Sequence, residues 1–293
     1  MVVRLNRAAC VGGPAEFLFP VEVENPDFGK PLEDPAYQSL KAKVTEPKTV
    51  LVSLRRAPGE IARHTAFPRE AVCDSAVRDT CLTSSTAHWD SRIANYGGEP
   101  TLKVGNVPGM NGPARGLIAV ELGALPKGAK ILGAQLRLTL LRAPYAQSAA
   151  GAKLLAYAVR REWRETPVDG LGASWYGAKY GGNPSHPHPK NVMWGKGGCD
   201  DTEKDRFPDE AAGADAGGFP AGSKDPKAAA EKRRLITLDI TALVRQWASG
   251  ELANHGLLLV YNGGGSVEIA SSEFQDYPFR PTLVVAYEGG EKR

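Results

Sequence analysis

Hydrophobic residues recur at every second position in two adjoining runs of this chain. Ile118, Val120 and Leu122 alternate in RGLIAVEL, and Leu136, Leu138 and Leu140 alternate in ILGAQLRLTLL. That period belongs to strands with one buried face. Between the runs, ALPKGAK brings in Pro126 and Gly128, which break the ladder and redirect the chain. Gly256 to Tyr261, GLLLVY, is apolar on both faces and bounded by Asn254 and by Asn262-Gly263-Gly264-Gly265, as a central strand is. Thr282 to Tyr287 alternates again, with Pro281 placed where it removes no ladder donor. One helix is predicted from Thr241 to Leu252: Leu243, Val244 and Trp247 share a face, Asp239 or Thr241 caps the start, and Gly250 lies near the end.

Before these runs the pattern is thinner. Val21 and Val23 alternate with Glu22 and Glu24, and Val50 to Leu54 offers a second short strand, but prolines separate them. Residues 1–70 are therefore expected to form an extended N-terminal arm with one or two strands. The arm has too little apolar content for its own core, so it lies along the main domain or adds a strand to a neighbouring copy. Residues 71–293 are expected to form an all-β domain, a jelly-roll-like antiparallel β-sandwich with one short helix. Residues 176–234 read as a long loop insertion in it: a binding loop, an assembly loop or a flexible excursion.

Composition narrows the function classes. With 293 residues, 42% of them hydrophobic, the chain can bury one substantial core, and 33 glycines with 22 prolines suit many short strands. A net charge of +3 without a clustered Lys/Arg stripe does not call for nucleic acid. No apolar run approaches the roughly 20 residues of a membrane-spanning helix. The N-terminus carries Arg4 and Arg7 but no uninterrupted apolar stretch of a secretory signal. Serine-hydrolase, zinc-protease, phosphate-loop and dinucleotide motifs are all missing, so no enzymatic activity is expected.

Of four cysteines, Cys73 and Cys81 are closest in sequence and form the candidate disulfide; four unpaired thiols are the alternative. His186 and His188 lack the paired spacing of a zinc site. Asp200, Asp201 and Asp205 are weak candidates for a calcium cluster, since the run departs from a calcium loop and Lys204 and Arg206 bracket Asp205. A solvated charged loop is the plainer reading.

Six motifs stand in a telling order. Asp79-Thr80 opens a strand; Asn95-Tyr96-Gly97 precedes Leu102-Lys103-Val104-Gly105; Trp163 is followed by Glu165-Thr166. Asp239-Ile240-Thr241 is followed by Leu243, Val244 and Trp247; Ala270-Ser271-Ser272-Glu273 and Arg280-Pro281 close the series. Together they resemble the DNRLRE domain, a secreted β-sandwich similar to carbohydrate-binding modules and related to the disaggregatase repeat, over roughly residues 76–287. Departures are Cys81 in place of an aromatic, Ala119 where a basic residue is common, and the insertion after Trp175. The resemblance implies a non-catalytic, extracellular or cell-surface protein and allows a structural calcium.

Sugar recognition needs aromatic faces for pyranose rings and polar or charged groups for hydroxyls and carboxylates. The candidates are Trp89, Tyr96, Tyr176, Tyr180 and Trp194, with Lys103 and Arg137 as cations. The partner that the resemblance implies is a polysaccharide, acidic ones included, and these residues are the candidates to meet it. The alternative is a structural subunit of a cell-surface layer or extracellular fibre, assembling with copies of itself through strand addition by the arm.

Overall fold

The computed structural model describes residues 2–5, 20–24, 50–51, 69–73, 77–85, 89–106, 112–142, 151–183, 185–217 and 233–289. The chain divides into two units, Met1–Thr65 and Ala66–Arg293. In the first, β1 (Val2–Leu5), β2 (Pro20–Glu24) and β3 (Val50–Leu51) make a three-stranded antiparallel sheet with β2 in the middle. Of the two strand-like runs expected in the arm, the first is β2, which pairs with both β1 and β3; the second is described only as β3, residues 52–54 lying outside the described residues.

The second unit is an antiparallel β structure. Its main sheet contains β4 (Arg69–Cys73), β5 (Val77–Thr83), β6 (Thr101–Asn106), β7 (Pro113–Val120), β8 (Lys130–Arg142) and β9 (Lys153–Ala158). Four two- or three-residue strands follow outside it: β10 (Gly177–Lys179), β11 (Gly182–Asn183), β12 (His186–Pro187) and β13 (Val192–Met193). The main sheet resumes with β14 (Ala212–Asp215) and β15 (Arg234–Asp239), and after helix α1 (Thr241–Ser249) is completed by β16 (Leu257–Tyr261), β17 (Ser266–Ala270) and β18 (Thr282–Glu288).

One side of this sheet runs β5-β7-β16-β9-β14 and the other β6-β17-β8-β18-β4, with β15 on the opposite flank of β8. The sides join where β6 meets β7 at Gly105↔Ala114 and Asn106↔Pro113. At the far end Arg234 donates to the carbonyls of Gly217 (2.9 Å) and Asp215 (3.1 Å), tying β15 to the end of β14, so the curled sheet comes close to a barrel.

The alternating leucines explain why β8 is the long central strand. Leu136, Leu138 and Leu140 are fully buried in the main core, facing Ile118, Leu154, Leu257 and Ile269 of the other strands in that cluster, while Gln135 points outward. Helix α1 is shorter than the pattern predicted, ending where Gly250 takes a left-handed φ of 79° and donates to Trp247 O. The N-cap is Ile240, with no side-chain cap bond, so neither Asp239 nor Thr241 takes the expected cap position. The Asp239 carboxylate, one residue earlier, accepts from the Thr241 N–H (3.0 Å) and hydroxyl (2.6 Å), and the helix buries Leu243, Val244 and Trp247.

The described part of the insertion is mostly turns and short strands, packed onto the sheet; residues 184 and 218–232 of it lie outside the described residues. Residues 176–217 fold as a second layer over the outer face of β5, β7, β9 and β16, burying Trp194, Ala178 and Cys199 against Leu82, Leu117, Val159, Trp163 and Leu258. Its last strand, β14, extends the main sheet by pairing with β9. No helix among the described residues is long and apolar enough to cross a membrane.

Two leucines on neighbouring strands test this layering. Leu138 is fully buried and Leu235 is 61% exposed. Leu138→Ala is expected to destabilise the domain by about 3 kcal/mol in urea titration, and Leu235→Ala by no more than about 0.5 kcal/mol.

Candidate functional site

The site begins at a seam. Strand β6 pairs with β17 from Thr101 to Gly105 but meets β7 only at Gly105 and Asn106, so the edge at Thr101 and Lys103 has no ladder partner on that side among the described residues. The sulfur of Cys81, on β5, occupies the gap. It accepts the Lys103 N–H at 2.8 Å, and its S–H lies 3.6 Å from the Lys103 carbonyl and 3.9 Å from that of Thr101. Burial pushes the Cys81 thiol up to about 12, so it stays protonated and inert.

Cys81 is a free thiol, and the expected bridge to Cys73 is not formed. Its side chain is committed to β6, whereas Cys73 lies on β4, paired with Leu283 at the other end of the sheet. Cys199, also free, is fully buried in the outer layer.

Above Cys81 the seam opens into a cavity of about 110 Å³. Tyr96, Lys103, Glu99, Thr83 and Thr101 line it, with Ala114 beside the thiol. Tyr96 is positioned by its loop: its hydroxyl donates to Ser91 O (3.3 Å), and the Asn95 amide donates to the carbonyls of Glu165 (2.6 Å) and Ala173 (2.9 Å). Gly97 is required here, since a Cβ would overlap the Glu165 carbonyl. Lys103 stands opposite Glu268 of β17 in the register.

Beside this seam three carboxylates converge. Oxygens of Asp79 on β5, Glu165 after β9 and Glu273 after β17 all lie within 4.8 Å of one another. Asp79 is 1% exposed; its Oδ2 accepts the Ser272 N–H at 2.7 Å, and its own N–H donates to Glu165 Oε1 at 2.6 Å. Burial first, then the nearby charges of Glu273 and Glu165, raise the Asp79 carboxyl to about 8. Burial also raises Glu165, against the Asp79 N–H that favours its charged form. These are the described side chains that could hold a metal: an all-oxygen set suits a hard cation such as calcium, and a positive charge there would relieve the crowding of acids.

The sequence-expected residues scatter. Tyr96 and Lys103 share the cavity. Arg137 is half-buried on β8 between Thr237 and Thr282, in another part of the sheet. Tyr180 is buried, Tyr176 is half-buried with its ring 5.5 Å from that of Tyr180, and the Arg92 guanidinium lies 5.9 Å from the Tyr176 ring centre. Trp194 is 5% exposed and donates its indole N–H to Ser174 O at 2.9 Å, so it packs the outer layer instead of meeting a ligand. The side chain of Trp89 lies outside the described residues; its backbone opens a 3₁₀ turn, Trp89–Arg92.

The acids proposed for calcium are otherwise engaged. Asp205 is fully buried, accepting from the N–H groups of Gly195, Lys196 and Asp201, with Arg161 at 3.3 Å. Asp200 meets Arg115 and Arg206 at 3.1 Å and Lys196 at 2.9 Å; against the cost of burial these donors hold its carboxyl at about 2. Asp201 accepts the N–H groups of Glu203 and Lys204, capping their turn. Arginine, lysine and backbone donors fill the positions a metal would take.

Sequence reasoning missed the grouping of Asp79, Glu165 and Glu273. All three stood in the quoted motifs, yet 86 residues separate the first two, and only folding brings them together. The chain matches no protein-family model and no curated protein.

The raised Asp79 carboxyl sets a pH dependence. Its unfolded value is near 3.8, so the stability from holding this proton is complete below about pH 4 and is lost as pH rises toward 8. With a chelator present, melting temperature is expected to fall between pH 5 and pH 8 through this group, and Asp79→Asn to flatten that fall. If calcium restored the wild type and left Asp79→Asn unmoved, a cation would be assigned to the three acids. A melting curve unchanged by Asp79→Asn at both pH values would exclude either role.

Proposed function

We propose that this protein is a non-catalytic extracellular module that binds polysaccharide at the seam cavity. The observation that carries the reading is that Tyr96 and Lys103, an aromatic and a cationic residue, line one cavity together with Thr83, Thr101 and Glu99. That is the mixture of apolar face, hydroxyl partner and charge that a sugar chain requires.

Size refines the reading. A cavity of about 110 Å³ has room for a few waters at roughly 30 Å³ each, which is too little for a whole pyranose. It admits an exocyclic group, while the ring lies against Tyr96 at the mouth. Lys103 is the cationic residue of the lining and Glu99 the acidic one, so the class includes acidic polysaccharides, with Lys103 as the group that would meet their carboxylates. The motif order shared with the DNRLRE domain supports both the sugar class and the extracellular setting. The strands of the arm pair among themselves, with β1 and β3 at the edges of their sheet; strand addition is kept as the second reading.

Affinity electrophoresis through gels holding polygalacturonate or a neutral β-glucan tests this. Retardation in the acidic gel is expected, weakened about tenfold by Tyr96→Ala. Lys103→Gln should reduce the preference for the acidic gel. Wild-type protein that migrates freely in both gels would sink the reading. Light scattering showing concentration-dependent growth that ends on removal of residues 1–65 would favour the surface-layer alternative.

A further inference from the structure

The loop from Ser272 to Pro281 carries the most exposed aromatic side chain among the described residues, Tyr277, with 59% of its surface open. A lone exposed tyrosine needs no explanation, but this one is built into a rigid setting. The Arg280 guanidinium lies 4.4 Å from its ring centre and donates from Nε to Phe274 O at 2.7 Å. Arg233 lies between Phe274 (5.3 Å) and Phe279 (4.3 Å) and pairs with Asp276 at 2.9 Å. Backbone bonds from Phe279 to Asp276 and from Arg280 to Tyr277 close the turn. The ring is therefore held in place before any ligand arrives, which lowers the entropy lost on stacking.

The loop is also joined to the cavity. The Ser271 hydroxyl donates to Glu99 O at 2.7 Å and its N–H to Pro100 O at 3.2 Å, and Glu99 lines the cavity. Ser271 thus ties the cavity wall at Glu99 to the loop that carries Tyr277. The Arg280 guanidinium covers one face of the Tyr277 ring, and its terminal nitrogens have no carboxylate partner among the described residues. A charged fork and the ring's other face are therefore available together, the pair that recognises a ring bearing a carboxylate.

We propose that Tyr277 and Arg280 form a second subsite for an anionic sugar, continuing the path of a uronate chain away from the seam cavity. The ring of Tyr277 stacks on the sugar face, and Arg280 contacts the carboxylate. This rests on the polysaccharide reading above, and oligomer length separates the two. The probes are galacturonate oligomers of two and six residues, with titration calorimetry on the full chain.

Tyr277→Ala is expected to weaken the hexamer about tenfold and leave the dimer unchanged, and Tyr277→Phe to keep both affinities, since the ring and not the hydroxyl does the stacking. Arg280→Gln should weaken the uronate hexamer and spare a neutral glucan hexamer of equal length. Hexamer affinity unmoved by Tyr277→Ala in a protein that binds it would overturn the subsite while leaving the cavity reading intact. Hexamer binding lost with Tyr277→Ala but retained in Tyr96→Ala would keep the subsite and overturn the cavity. A wild type that binds neither oligomer overturns both.

Discussion

The Ser272 N–H donating to the buried carboxyl of Asp79, at 2.7 Å, is the contact on which the seam depends. It joins β5 to the turn after β17, two strands that share no ladder. Glu165 takes the Asp79 N–H that would otherwise stand open on the edge of β5, and Cys81 reaches β6 two residues further along. A strand edge left bare inside a domain would strand its donors and acceptors. Here side chains satisfy them, and the small space that remains between the edges is the cavity. The site exists because the sheet does not close by backbone pairing on this side.

The outer layer follows a different logic. Loop backbone must find partners without a ladder, and the insertion supplies them from carboxylates. Asp205, fully buried, gathers three N–H groups and Arg161, while Asp200 is ringed by Arg115, Arg206 and Lys196. Arginines then lie over aromatic rings, Arg206 over Tyr157 at 4.3 Å and Arg160 over Phe207 at 3.8 Å. Asp205, Asp200, Arg115 and Arg206, charged residues that look solvent-facing along the chain, are structural here, since they are paired where little water reaches, while Lys196 and Arg160 stay at the surface.

How far the sequence could be read depended on the range of the interaction involved. Alternation is a local property of a half-buried strand, so Leu136, Leu138 and Leu140 of β8 announced themselves, whereas β7, expected to bury one face, buries both, since the outer layer covers Leu117 and Ala119. The helix was legible from the apolar face through Trp247 and from Gly250. Tyr180 and Trp194 misled because glycine- and proline-rich surroundings suggest exposure, while a sheet face distant in sequence buries them. Tyr96 and Lys103 were suitable by type alone, and their neighbourhood came from β6 and the loop before it.

By itself, then, the amino-acid sequence determined the strands, the capped helix and the all-β class, because periodicity, capping and turn chemistry act over a few residues. Only the tertiary structure decided the seam, the meeting of Asp79 with Glu165 and Glu273, and the fate of the insertion. Ser272 reaches Asp79 across 193 residues, and no local pattern records a contact of that range. Burial is a property of what packs on a residue, and that is settled only when distant strands come together.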